Sequence, residues 1–168
     1  MLKKTLLLLV THGLTAGFAF AVGMYSLPIL MAPPEPTSGA LALTIKNTRY
    51  VATIADNLED SDWLHWGKGT FSLGDNHIVF QGKLAPGPAY RLYLSSRFIE
   101  TEQDFLQHKS TMIDVGEVKS FGNYILPIRG GINIENYNSV IIWCESFNQF
   151  ITAAQFKQPF KQYLGRLR

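Results

Sequence analysis

The sequence predicts an all-β domain, an antiparallel β-sandwich or barrel-like array, preceded by a single N-terminal transmembrane helix. Three observations carry that expectation. A stretch from about residue 6 to residue 31 is apolar and uncharged. Beyond it, short segments of alternating polarity are broken at close intervals by Gly, Pro, Asn and Asp. No long helical period occurs outside the apolar stretch. At 168 residues, 46% of them hydrophobic, the chain can build one packed domain plus a short extra segment. The net charge is only +2, which argues against a dedicated nucleic-acid binder. A single Cys excludes an intrachain disulfide and any multi-thiolate metal site.

Residues 1–32 read as a signal anchor. Lys3 and Lys4 are followed by no charge until Glu35. A helix rises about 1.5 Å per residue, so roughly 20 residues cross the hydrocarbon, and residues 6–31 suffice. The two lysines keep the N-terminus cytoplasmic and send the rest of the chain to the extracytoplasmic (periplasmic or extracellular) side. Ala19-Phe20-Ala21 offers the alternative of cleavage after Ala21. The partner expected of residues 6–31 is thus the membrane.

Residues 33–62 form a Pro-rich linker and connector. Pro33, Pro34 and Pro36 favour an extended spacer. Residues 41–55 are ambiguous: Leu41, Leu43 and Ile45 alternate as in a strand, whereas Tyr50, Val51 and Ile54 fit a helical face. Asp56, Glu59, Asp60 and Asp62 give a solvated acidic run.

The β-domain is expected over residues 63–157. Strands are read at 69–73, 77–84, 89–95, 112–118, 122–128, 139–147 and 150–156, with a short helix within 98–110. Gly74-Asp75-Asn76, Pro86-Gly87-Pro88 and Gly130-Gly131 mark the breaks. Residues 35–156 hold nine basic against 13 acidic residues, whereas the tail at 157–168 holds four basic residues and no acid. That basic C-terminal tail, 158–168, is read as a solvated terminus.

Chemistry concentrates on one residue. Cys144 lies in Ser139-Val-Ile-Ile-Trp-Cys-Glu-Ser-Phe147, sharing a strand face with Val140 and Ile142. A thiol among branched aliphatics reads first as a small buried hydrophobe. Outside the cytoplasm, however, free thiols tend to be oxidised, so a lone exported Cys is either well buried or useful. No C-x-x-C-H occurs, so covalent c-type haem is excluded. His65, His77 and His108 show no ligand spacing to Cys144. Nucleophile-elbow, zincin and phosphate-loop motifs do not occur, and the carboxylates are scattered, which makes a hydrolase a poor reading.

Four pieces carry a family resemblance. Gly69-Thr-Phe71 with His77-Ile-Val-Phe-Gln-Gly82 comes first, then Pro88-Ala-Tyr-Arg-Leu-Tyr-Leu94. Val115-Gly-Glu-Val-Lys119 with Gly122-Asn-Tyr124 and Leu126-Pro127 follows. Tyr137-Asn-Ser-Val-Ile-Ile-Trp-Cys144 and Ala153-Ala-Gln-Phe156 close it and are the most specific. Over residues 66–156 the chain resembles the DM-thirteen, or electron-transfer DM, domain. The family often has an acid near the position of Ala89, and this chain departs from it there. The resemblance implies a β-rich extracytoplasmic domain whose recurring Cys, here Cys144, acts in redox chemistry as a bare thiol or a haem ligand. His77 matches a recurring family histidine, and the resemblance makes it a cofactor-binding candidate beside Cys144. The cofactor itself is unknown; haem is one candidate and nothing in the sequence requires it.

Two functions follow as expectations. One is a membrane-held electron-transfer or thiol-redox module centred on Cys144, with an unidentified redox or protein partner. The other is a non-enzymatic binding sandwich in which Cys144 is structural and Tyr137 and Trp63 make contacts.

Overall fold

The structure is a computed structural model that describes residues 2–157. The tail at 158–168 therefore lies outside the described residues. Helix α1, Leu2–Met31, is long and apolar enough to cross a membrane, and none of its residues is buried.

The ambiguous segment resolves into both element types, in the order opposite to the one its local pattern suggested. Helix α2 is Ser38–Ile45, and strand β1 is Thr48–Thr53. Thr37 caps α2 by accepting from the Ala40 N–H at 3.2 Å. Ala40, Leu41, Ala42 and Leu43 are good helix formers, and only Leu41 is buried, so the apparent alternation had no sheet face to serve. In β1 the true period is two: Ala52 is buried, whereas Val51 and Thr53 face out.

Seven further strands follow: β2 Gly67–Gly74, β3 His77–Leu84, β4 Tyr90–Ser95, β5 Ile113–Val118, β6 Tyr124–Pro127, β7 Ser139–Cys144 and β8 Gln149–Gln155. Helix α3, Glu102–His108, sits between β4 and β5. The strands form two four-stranded antiparallel sheets, β1-β2-β3-β6 and β5-β4-β7-β8, and neither closes into a barrel. One continuous core joins them, from Phe71, Ile78 and Phe80 on the first sheet to Leu92, Val140 and Ile142 on the second. Gly69 and Gly82 face each other across β2 and β3, where a Cβ on Gly69 would come within 2.7 Å of the Gly82 Cα.

The second sheet is buried on both faces, which explains why every residue of β7 is buried. Its outer face is covered by α3: the Phe105 ring stacks on Trp143 at 3.9 Å with 10° between planes, and meets Tyr93 edge-on at 5.1 Å. The acidic run is solvated as expected at Asp56, Glu59 and Asp62, with Asp60 half-buried. Asp60 accepts from the first N–H of α3, that of Glu102, at 2.6 Å, and Asp62 caps the turn at Leu64 and His65.

Candidate functional site: an apolar cleft at Cys144

The last residue of β7 is Cys144, placed directly opposite Tyr90, the first residue of β4. The thiol is 2% exposed and donates to the Pro88 carbonyl at 3.2 Å. Burial raises its pKa; backbone N–H groups of Phe147 and Ser146 work against that rise, and the neighbouring Glu145 charge adds to it. The sulfur is therefore held as a neutral thiol at neutral pH.

Low exposure does not mean enclosure here. The thiol lines an open cleft of about 370 Å³ at the end of the sandwich where the β3–β4 loop and the β7–β8 turn meet. Its walls are Pro86, Gly87, Pro88, Tyr90, Phe147 and Ile151 from the domain, with Phe20, Ala21, Met24 and Tyr25 from α1. Gly87 allows the close approach that shapes the floor, since a Cβ there would come within 2.8 Å of the Tyr90 ring. The preceding residue of β4, Ala89, adopts a left-handed conformation at φ 52°, which a short Asp or Asn would tolerate better than Ala. This is the position at which the chain departs from the acid its resemblance leads one to expect.

Four residues with polar side chains besides Cys144 line the cleft: Tyr25, His65, Tyr90 and Gln149. His65 lines it, and its Nδ1 lies 3.1 Å from Asp62 Oδ2. The carboxylate accepts from Nδ1, which in the neutral ring makes Nε2 the acceptor. Burial works to raise the Asp62 carboxyl, but the His65 ring and the backbone N–H groups of His65 and Leu64 outweigh it and hold the carboxyl below its ordinary value. Tyr90 is 2% exposed, and its hydroxyl has no hydrogen-bond partner among the described residues. Burial, with Cys144 and Tyr25 nearby, pushes its pKa up and keeps it a donor.

Behind the cleft, on the outer face of the same sheet, a polar network backs Trp143. Tyr93 donates to Glu145 Oε1, and Lys109 Nζ donates to both Glu145 oxygens at 2.9 and 2.7 Å. Burial alone would raise the Glu145 carboxyl; the hydrogen bonds from Lys109 and Tyr93 outweigh it and lower the pKa. Arg91 pairs with Asp114 at 2.5 Å on the same face.

Residues 58–156 match the family model described as Electron transfer DM13. The chain belongs to this family. No curated protein and no solved structure matches it. The match begins after β1, so the edge strand that completes the first sheet comes from outside the DM13 segment. The family's description points to a redox-related role.

The structure does not bring His77 to Cys144. His77 opens β3 at the far end of the sandwich, in a separate recess with Asn47, Asp75 and Asn76. The cleft instead adjoins the Leu84 end of β3, about 23 Å along the strand at 3.3 Å per residue. His65 is the histidine that shares the cleft. Its sequence signal was the Asp62-Trp-Leu-His65 turn, which spacing to Cys144 could not reveal.

The lining is a poor match for haem. Cys144, His65 and Met24 could ligate iron, yet no Lys or Arg lines the cleft to meet two propionates. The largely apolar walls, with Tyr90, His65, Gln149 and Tyr25 as the polar side chains, suit a neutral, planar group.

Proposed function

We propose that this chain is a membrane-anchored redox module whose β-domain stands on the extracytoplasmic side and whose working group is Cys144. Membership of the electron-transfer family supports the redox class. One observation carries the assignment to this residue: the only thiol of the chain lines an open cleft together with His65 and the hydroxyl-bearing Tyr90. In this reading residues 1–32 are the anchor, with Lys3 and Lys4 on the cytoplasmic side. The anchor stays uncleaved. Phe20 and Ala21 before the cleavage point that follows Ala21, and Met24 and Tyr25 after it, all line the cleft, and cleavage would remove part of that wall.

The chain's own residues supply three things. Pro88 fixes the thiol rotamer by accepting its proton in a hydrogen bond. The amides of Ser146 and Phe147 stabilise negative charge on sulfur whenever it forms. The Asp62–His65 pair holds an acceptor at the rim that can take a proton. One thiol cannot resolve a disulfide alone, so turnover requires a partner molecule in the cleft.

Peroxide provides the test, because it converts Cys–SH to Cys–SOH with release of water. Folded protein treated with hydrogen peroxide and dimedone is expected to carry the adduct on Cys144. An adduct that forms only after unfolding would support the second reading, a binding sandwich with a structural Cys144. The thiol's low exposure and raised pKa favour that alternative.

A further inference from the structure

We infer that the Cys144 cleft opens onto the outer leaflet and binds a neutral, lipid-borne ring of the quinone class. The inference rests on the redox reading of the cleft and names its ligand.

The geometry begins with the length of α1. Thirty residues make a helix of about 45 Å, whereas the hydrocarbon core is about 30 Å thick, so roughly ten residues are surplus. With Lys3 and Lys4 fixed at the inner surface, the surplus falls at the C-terminal end. The last turns of the span and this surplus are the part of α1 that meets the domain: Phe20 and Met24, still at hydrocarbon depth, wall the cleft with Tyr25, and Leu27, Pro28 and Met31 line an adjoining recess against Ala89 and Phe121. The cleft therefore stands at the outer interface, and a molecule dissolved in lipid can reach it along the helix.

The domain surface around the mouth agrees. Phe147 and Leu64, both in the cleft wall, are 52% and 45% exposed, and such apolar side chains at the mouth suit an interface with lipid. The domain thus touches the membrane beside its own anchor.

The chemistry of the lining selects the ligand. No charged residue other than the titratable His65 lines the cleft, which disfavours an anionic or cationic guest. An acyl chain would cover the Tyr90 hydroxyl without offering it a partner. A quinone carbonyl would accept from that hydroxyl. The hydroxyl of the reduced ring would donate to His65 Nε2, which Asp62 keeps free as an acceptor. Phe147, Tyr25 and Phe20 offer aromatic faces to the ring.

The test uses the full chain in phosphatidylcholine nanodiscs with a decyl-tailed azido-benzoquinone as photolabel. Saturable labelling of cleft peptides is expected. Met24→Trp, which fills the helix wall, should weaken it at least about tenfold, and Tyr90→Phe by about fivefold, the loss of one hydrogen bond. His77→Ala, at the far end, should leave it unchanged, and thermal melting checks that each variant is folded. Non-saturable labelling, equal labelling of Met24→Trp, or equal displacement by a plain fatty alcohol overturns the inference. Haemin producing a Soret band lost in Cys144→Ser would also overturn it while leaving the redox reading in place. If dimedone trapping fails as well, both fall.

Discussion

The two ends of the sandwich are built from opposite chemistry. At the end where His77 lies, charges lock the loops together. Arg49 reaches Asp75 at 2.7 Å and Glu135 at 2.6 Å, Lys157 reaches Glu135 at 2.5 Å, and Tyr50 donates to the same carboxylate. Lys157 also lies over the Tyr50 ring at 4.6 Å. At the Cys144 end the cleft has no ion pair across it, and a helix from outside the β-domain forms one wall. The charged end is closed by contacts made in water, each of which is weak and screened by salt. The apolar end leaves an open concave surface. Cys144 lies at the second end, in the wall of the cleft.

Substitutions at the two ends should separate these roles. The largest loss is expected at the packing just behind the cleft. Trp143→Ala, which empties the stack on Phe105, should cost about 3–5 kcal/mol in denaturant unfolding. A loss no larger than that of a surface change would show that α3 is not integral to the sheet.

Next comes the outer-face network. Glu145→Gln should cost about 1–2 kcal/mol at pH 7 through weakened bonds to Lys109 and Tyr93. The folded Glu145 carboxyl has a pKa below its ordinary 4.5, so its contribution is present above that value and is lost as pH falls through the folded one. Wild type and variant should therefore converge in acid. A constant difference down to pH 3 would assign the effect to packing.

Cys144→Ser should cost roughly 1 kcal/mol, since the hydroxyl can still donate to Pro88. Retention of the fold by calorimetry, with loss of redox activity, would separate chemistry from scaffold at this position. The smallest change belongs to the charged end. Arg49→Ala should be distinguishable from wild type only at low salt, because the pairs it makes are fully solvated. An effect that survives high salt would mean that this end is held by more than screened charge.

Much of the β architecture was legible because period and punctuation agree. β3 matches its expected span, and the Gly74-Asp75-Asn76 and Pro86-Gly87-Pro88 breaks stand where turns occur. The segment at 41–55 misled because Ala and Leu in Ser38–Ile45 alternate by accident of composition, while the Thr37 cap sets a helix. Cys144 was legible in the sequence as the single thiol. Its neighbour was not: the pairing of Cys144 with His65 depends on how the β3–β4 loop, the 62–65 turn and α1 converge, and no local spacing encodes that convergence. The wall supplied by α1 was hidden for a related reason. A segment apolar enough for lipid carries no sign that its last turns also pack on protein.

Access to the Cys144 sulfur can be measured directly by labelling the folded protein with two thiol reagents of similar size, neutral N-ethylmaleimide and an anionic methanethiosulfonate. Slow modification by the neutral reagent, blocked in Met24→Trp, with little reaction from the anion, is the predicted result. Equal rates for both reagents, or no reaction until the chain is unfolded, would contradict an apolar cleft leading to the thiol.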